Sequence, residues 1–251
     1  MGTQGNRTAV ITGAGSGIGQ AVARGFLNAG YAVVLAGRRR EALEETARGH
    51  ALAHVVPTDV TRHDDVERLF ERVRTELGVL NILFNNAGMF GPPGGVDEIS
   101  PEAWSETVAV NLTGSFLCAA AAFRLMKSQH PQGGRIINNG SIAAHSPRPR
   151  SAAYTTTKHA ITGLTKSIEL DGRAYGITCG QIDIGNAHTE LMSTLGVGDG
   201  ALQADGSRRP EPTFPVDEAA RAVLYMAQLP PSASIGSLLI TASGMPFIGR
   251  G

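Results

Sequence analysis

Tyr154 and Lys158 stand four residues apart in Tyr154-Thr155-Thr156-Thr157-Lys158. On a helix, that spacing puts both side chains on one face. A cation beside a phenol favours the phenolate and lowers the phenol's pKa. A phenol tuned in this way can donate or accept a proton near neutral pH, which is general acid–base chemistry. The chain has 4 tyrosines among 251 residues, and its lysines are Lys127, Lys158 and Lys166, so the pair rarely arises by chance. Taken alone, it still reads as a surface tyrosine and a solvated lysine. Ser141 adds weight: it lies upstream in Asn138-Asn139-Gly140-Ser141, directly after an apolar run that reads as a strand. Asn85-Asn86-Ala87-Gly88 follows another such run. Both segments fall at carboxyl ends of strands, where open α/β sheets bind ligands.

A second kind of chemistry is written near the amino terminus. The run Thr8–Ile11 leads into Thr12-Gly13-Ala14-Gly15-Ser16-Gly17-Ile18-Gly19 and then an amphipathic segment. Glycines allow a tight turn and close approach to a pyrophosphate, and the helix start that follows offers free N–H groups and partial positive charge. Gly13, Gly17 and Gly19 give the spacing G-x-x-x-G-x-G, which is neither G-x-G-x-x-G nor a P-loop. The next run ends Gly37-Arg38-Arg39-Arg40, with no acid at its tip. An acid there binds a ribose 2′-hydroxyl, whereas arginine accommodates a 2′-phosphate. Arg38 and Arg39 therefore point to NADP(H) over NAD(H), with NAD(H) still usable, and Arg40 reads as the start of the next helix.

These residues must be held by a framework. Strands are expected at Thr8–Ile11, Ala32–Ala36, His54–Val56, Ile82–Phe84, Arg135–Asn138, Thr178–Ile182 and Leu238–Thr241. Helices are expected at Ile18–Ala29, Glu41–Arg48, Asp64–Leu77, Pro101–Met126, Ala152–Leu170 and Asp217–Gln228. This alternation predicts an α/β fold, a doubly wound parallel sheet of seven strands with helices on both faces, in one domain over 1–251. Leu191–Phe214 breaks the pattern and reads as a substrate lid. Lys plus Arg and Asp plus Glu are each 22, a balance that argues against nucleic-acid or membrane-surface binding. Cys118 and Cys179 lie in apolar stretches and read as buried free thiols, and no metal-ligand spacing is visible. No secretory signal and no apolar run of membrane-spanning length is evident, so a cytoplasmic protein is expected.

Together, Thr12–Gly19, Asp59-Val60, Asn85–Gly88, Asn111, Ser141, Tyr154 and Lys158 resemble a classical short-chain dehydrogenase/reductase, in family order and along almost the whole chain. The resemblance implies a Rossmann-type fold and roles for these residues. Tyr154 would be the acid in carbonyl reduction and the base in alcohol oxidation. Lys158 would lower its pKa and bind the nicotinamide ribose. Ser141 would bind the substrate oxygen. Asn111 would hold a water relaying protons to Lys158; its bland alternative is a helix-kink asparagine. Gly13, Ser16, Gly17, Ile18 and Gly19 would carry the pyrophosphate, Asp59 and Val60 the adenine, and Asn86, Ala87 and Gly88 the adenine ribose and mid-section. Gly185, Ala187 and Thr189 would contact the nicotinamide carboxamide. Ile184 stands where the family usually has proline, which puts that last clamp in doubt.

The expected activity is hydride transfer between NADP(H) and a carbonyl or secondary alcohol. His145, Arg148, Arg150, Arg208 and Arg209 are candidates to face an anionic substrate, or are solvated loop charges; His188 reads as an exposed loop histidine. The family also implies a homotetramer or dimer built on the helices around Trp104–Met126 and Ala152–Leu170. Two rivals exist. A cofactor-sensing regulator on the same fold would not need the Tyr154–Lys158 pair with Ser141, and a nucleoside-binding methyltransferase shares only the glycine turn.

Overall fold

The computed structural model describes residues 7–189 and 200–248. Seven parallel strands form one sheet: β1 (Thr8–Thr12), β2 (Ala32–Gly37), β3 (Ala53–Pro57), β4 (Ile82–Asn85), β5 (Gly134–Asn139), β6 (Ile177–Gly185) and β11 (Ser237–Thr241). Their order is β11-β6-β5-β4-β1-β2-β3. Four short strands lie between β6 and β11: β7 (Ala187–His188), β8 (Ala201–Leu202), β9 (Arg208–Arg209) and β10 (Phe214–Pro215). The helices are α1 (Gly17–Asn28), α2 (Arg40–Ala47), α3 (His63–Glu76), α4 (Pro101–Val108), α5 (Gly114–Ser128), α6 (Ala152–Gly172) and α7 (Val216–Gln228).

Strand residues alternate between two cores because successive side chains leave a strand on opposite faces. Ala9 and Ile11 join Val22 and Phe26 of α1 and Val223 of α7 on one face. Val10 joins Leu69 and Phe70 of α3, Ala122 of α5 and Ile168 of α6 on the other. With both faces covered, the strands are apolar almost throughout, as the sequence predicts for a parallel sheet. Strand β1 pairs with both β2 and β4. The chain therefore reverses its direction of winding at β1, and a crevice opens between the carboxyl ends of β1 and β4.

Three departures from the sequence expectations bear on the site. The expected single helix over Pro101–Met126 is two helices joined by a π-helical turn at Ala109–Thr113. Ser100 caps its start by accepting from Ala103 N at 3.1 Å, with Pro101 in the first turn. The widened turn lets Asn111 point sideways out of the ladder, and the Ser115 hydroxyl donates to its carbonyl at 2.8 Å. By length and composition, Pro101–Ser128 is also apolar enough to cross a membrane, which corrects the expectation that no stretch is. In the fold, Cys118, Ala119, Ala122 and Met126 of that stretch are buried in the core beside β4 and β5.

Second, β6 runs on through Gly185. Ile184 keeps the N–H that proline would lack, and it pairs with Ile240 in β11. Third, the segment 191–214, expected as a lid, carries short strands where it is described. Strands β8 and β9 form a small antiparallel hairpin, and β10 pairs with β7. Residues 191–199 of that expected lid lie outside the described residues.

Candidate active site

The glycine turn has the geometry its spacing promised. Gly13 and Gly17 hold positive φ of 66° and 53°, a region that costs side-chain-bearing residues energy. A Cβ on Gly19 would lie 2.2 Å from Gly13 O, so the turn closes only around a bare backbone. Ser16 caps α1 with extended backbone and makes no side-chain cap bond, and its side chain is exposed. Ile18 is partly buried behind it. The first N–H groups of α1 thus face the crevice end of the sheet, an arrangement suited to phosphate.

A hydrogen-bonded chain crosses the crevice. Thr12 Oγ1 accepts from Asn86 N at 2.8 Å and from Ala87 N at 3.0 Å. Asn86 Nδ2 donates to Thr12 O at 2.9 Å, which turns Asn86 Oδ1 towards Asn139. Asn139 Nδ2 donates to that oxygen at 2.9 Å. Asn139 Oδ1 is then left buried with no partner among the described residues. A buried acceptor without a donor is costly. Beside a phosphate-type turn, it fits the hydroxyl-bearing sugar of a dinucleotide, whose donors would satisfy it.

Helix α6 brings Tyr154 and Lys158 to this end of the sheet. The Tyr154 phenol lies beside Ser141, which favours its ionised form. Its ring packs on Phe90 with centroids 4.6 Å apart. Lys158 is buried and lies 5.5 Å over the Tyr154 ring centroid. Its Nζ donates to Asn139 O at 2.7 Å and keeps further donors in reserve. Asn111 Oδ1 accepts from Met89 N at 2.8 Å, while its Nδ2 donates to Met89 O at 2.7 Å and Thr157 Oγ1 at 3.2 Å. Its side chain thereby brackets the loop after Gly88 to the helix that carries Tyr154 and Lys158. Ser141 is buried, and its backbone N donates to Asp183 Oδ1 at 2.9 Å.

The electrostatics correct one expectation. Lys158 does not bring the Tyr154 phenol down in this structure. Burial pushes it up to about 12, while the neighbouring Ser141 hydroxyl and Arg148 pull it down and Asp183 pushes it further up. Lys158 is not among the groups that lower the phenol's pKa. Burial in turn pulls Lys158 down to about 8, opposed by Asp183.

The remaining predicted residues fall as follows. Arg38 and Arg39 are exposed at the end of β2. Burial raises the Asp59 pKa, but the Thr61 hydrogen bonds, Arg38 and Arg62 together hold it below the usual carboxylate value. Val60 is buried against Gly114. Gly88 faces Asn111 Oδ1, which a Cβ there would meet at 3.3 Å. Gly185 and Ala187 are buried. A cleft of about 950 Å³ joins Ser16, Gly17, Arg39, His188 and Thr189, and it reaches outward along α1 rather than to Tyr154. Arg148 pairs with Glu211 at 2.7 Å, Arg150 with Glu98 at 2.5 Å and Arg209 with Asp205 at 3.4 Å. Arg208 donates to Gly200 O at 3.1 Å. These arginines are engaged within the protein. Sequence reasoning missed Asp183, Gln181 and Asn139. The signal was available: Asn139 follows the apolar Ile136-Ile137, and Gln181 and Asp183 alternate with Ile182 and Ile184.

The short chain dehydrogenase family model matches residues 7–198. The chain is 36% identical over 197 residues to a 3beta-hydroxysteroid dehydrogenase of Mediterraneibacter gnavus, covering 76% of this chain and 70% of that protein. Its structure is similar to a 3-ketoacyl-(acyl-carrier-protein) reductase from Brucella melitensis complexed with NADH. That match has a TM-score of 0.84 and 26% identity, and it covers 94% of this chain and 97% of the other. An actinorhodin polyketide ketoreductase with NADPH gives a TM-score of 0.83 and 25% identity, over 96% and 98% of the two chains.

The lowered Lys158 pKa has a consequence for stability. Between about pH 8 and 10.5, the folded lysine has shed a proton that the unfolded chain keeps. Unfolding then takes up a proton, so the fold gains stability as pH rises through that window. Urea unfolding of wild type and Lys158→Met should show the wild type improving relative to the variant between pH 7.5 and 10, by up to roughly 2–3 kcal/mol. A difference that stays flat with pH would contradict the buried-cation assignment.

Proposed function

The chain belongs to the short-chain dehydrogenase family, an oxidoreductase acting on CH–OH groups with a nicotinamide cofactor, and from that premise we propose that it moves hydride between NADP(H) and the carbon of a ketone or secondary alcohol, with Tyr154 as acid and base. The observation that carries this reading is the Tyr154 phenol set beside Ser141 on the same site as buried Lys158. When bound, the nicotinamide supplies or accepts hydride at the reacting carbon. The chain's own groups manage the oxygen and the proton. Ser141 and the Tyr154 hydroxyl converge on one point, where a substrate oxygen receives two hydrogen bonds. With its pKa raised, Tyr154 holds its proton at neutral pH and gives it to the oxygen as negative charge develops there. In the reverse direction the Tyr154 phenolate takes the alcohol proton and becomes the phenol.

Lys158, Asn86, Asn139 and the α1 amino terminus would hold the cofactor, with Gly13, Ser16, Gly17, Ile18 and Gly19 under the pyrophosphate. Asp59, Val60, Ala87 and Gly88 would border its adenosine half, and Gly185, Ala187 and Thr189 its nicotinamide end. Asn111 acts by bracing the Met89 loop against α6. NADP(H) is favoured because Arg38 and Arg39 are exposed at the β2 tip and engaged in no ion pair or side-chain hydrogen bond among the described residues. The whole chain works as one cofactor-binding and catalytic unit. It assembles through the long helices into a tetramer or dimer, a reading supported by Phe116 and Leu170, 53% and 63% exposed on α5 and α6.

Three measurements test this. Tyr154→Phe should lower kcat by about 10²–10⁴-fold with NADPH affinity retained; unchanged turnover would refute the proton-transfer role. Arg38→Ala should raise the Kd for NADPH roughly tenfold or more, and that for NADH far less; equal losses would remove the 2′-phosphate assignment. Phe116→Asp should shift the mass measured by light scattering towards a smaller species.

A further inference from the structure

Asp183 is fully buried at the end of β6, and three donors converge on it. Ser141 N and Gln181 Nε2 reach Oδ1 at 2.9 and 2.7 Å, and His145 Nε2 lies 2.8 Å from Oδ2. The seat is built for the carboxylate: a Cβ on Gly140 would lie 2.0 Å from Asp183 Oδ1. A buried carboxylate is tolerated only with such donors. Its presence beside Ser141 therefore calls for an explanation beyond packing.

The pair fixes the imidazole. A carboxylate only accepts, so Nε2 carries the hydrogen. Nδ1 is left on the other side of the ring, with no protein partner among the described residues. In the neutral ring, that atom is an acceptor. The His145 side chain is 43% exposed, and the ring stands edge-on to Phe247 with centroids 6.2 Å apart. Ile142, Met245 and Phe214 make up the apolar wall beside it. His145 follows the short 3₁₀ turn that begins at Ser141, so one carboxyl group holds both the Ser141 backbone and the His145 ring.

We propose that His145, aimed by Asp183, orients the substrate, and that the substrate is a ketone or secondary alcohol bearing a neighbouring hydroxyl, which donates to Nδ1 while the reacting oxygen meets Ser141 and Tyr154. The proposal rests on the hydride-transfer reading above. Asp183 is a positioning residue; His145 determines specificity. A site with a buried polar group discriminates against substrates that lack its partner.

The test uses the full chain with NADPH and matched ketones: acetoin against 2-butanone, and 2-hydroxycyclohexanone against cyclohexanone and 2-methoxycyclohexanone. Wild type should favour the hydroxylated member by about tenfold or more in kcat/KM. The methoxy compound, which keeps the oxygen and loses the donor, should lose that preference without any change to the protein. His145→Phe keeps the ring against Phe247 and should bring the ratio to within about threefold. Asp183→Asn should reduce the ratio in the same direction. Equal ratios in wild type and His145→Phe, or equal wild-type turnover of hydroxy and methoxy ketones, would overturn the proposal and leave hydride transfer standing. No NADPH oxidation with any of these ketones would overturn both.

Discussion

The site depends on the hydrogen bonds that Thr12 makes across the crevice. Its hydroxyl and carbonyl hold the backbone and side chain of Asn86, and Asn86 holds Asn139. Asn139 O then receives Lys158 Nζ. Four separate segments, the ends of β1, β4 and β5 and the second turn of α6, are locked into one network at the point where the sheet changes winding direction. Each link fixes the orientation of the next amide. The last acceptor of the series points, buried and unsatisfied, to where a ligand's hydroxyl would complete it.

Around that network the protein concentrates ionisable groups that burial pushes out of their ordinary ranges. Tyr154 goes up, Lys158 goes down, and Asp183 acts on both. Perturbation by desolvation together with specific charges is characteristic of reacting centres. The same low-polarity surroundings that hold the phenol's proton make the influence of the neighbouring Ser141 hydroxyl count for more than it would in water. Arg148 opposes Asp183 at the phenol while paired to Glu211, which also accepts from Asn186 Nδ2 at 2.9 Å. Asn186 and Glu211 are thus tied, through Arg148, to the electrostatics of the Tyr154 phenol.

Missing side chains shape the site as much as those present. Gly19 makes room for Gly13 O, and Gly140 for the Asp183 carboxylate. In both places the protein exchanges a side chain for close approach of a polar group. The π-helical turn at Ala109–Thr113 works similarly: it spoils an otherwise regular helix so that Asn111 can reach two other segments.

Much of this was legible in the sequence, because it is local. Short continuous apolar runs such as Thr8–Ile11 mark buried strands, glycine spacing marks the turn at Thr12–Gly19, and the four-residue interval of Tyr154 and Lys158 sets their common face. The element ends at β6 and the break in the Pro101–Met126 helix were not legible, since strand pairing with β11 and the reach of Asn111 decide them. Nor was the tuning of Tyr154 legible. Lysine spacing says which face a charge is on, whereas the depth of burial and the charges arriving from β6 and the Arg148 loop decide the sign of the shift. Asp183 and His145, 38 positions apart, and Asn86 and Asn139, 53 apart, meet only because the strand order brings β4, β5 and β6 side by side. Local geometry is fixed by bonds a few residues long; a contact between distant residues exists only once the sheet's order and register have been chosen by the packing of both faces.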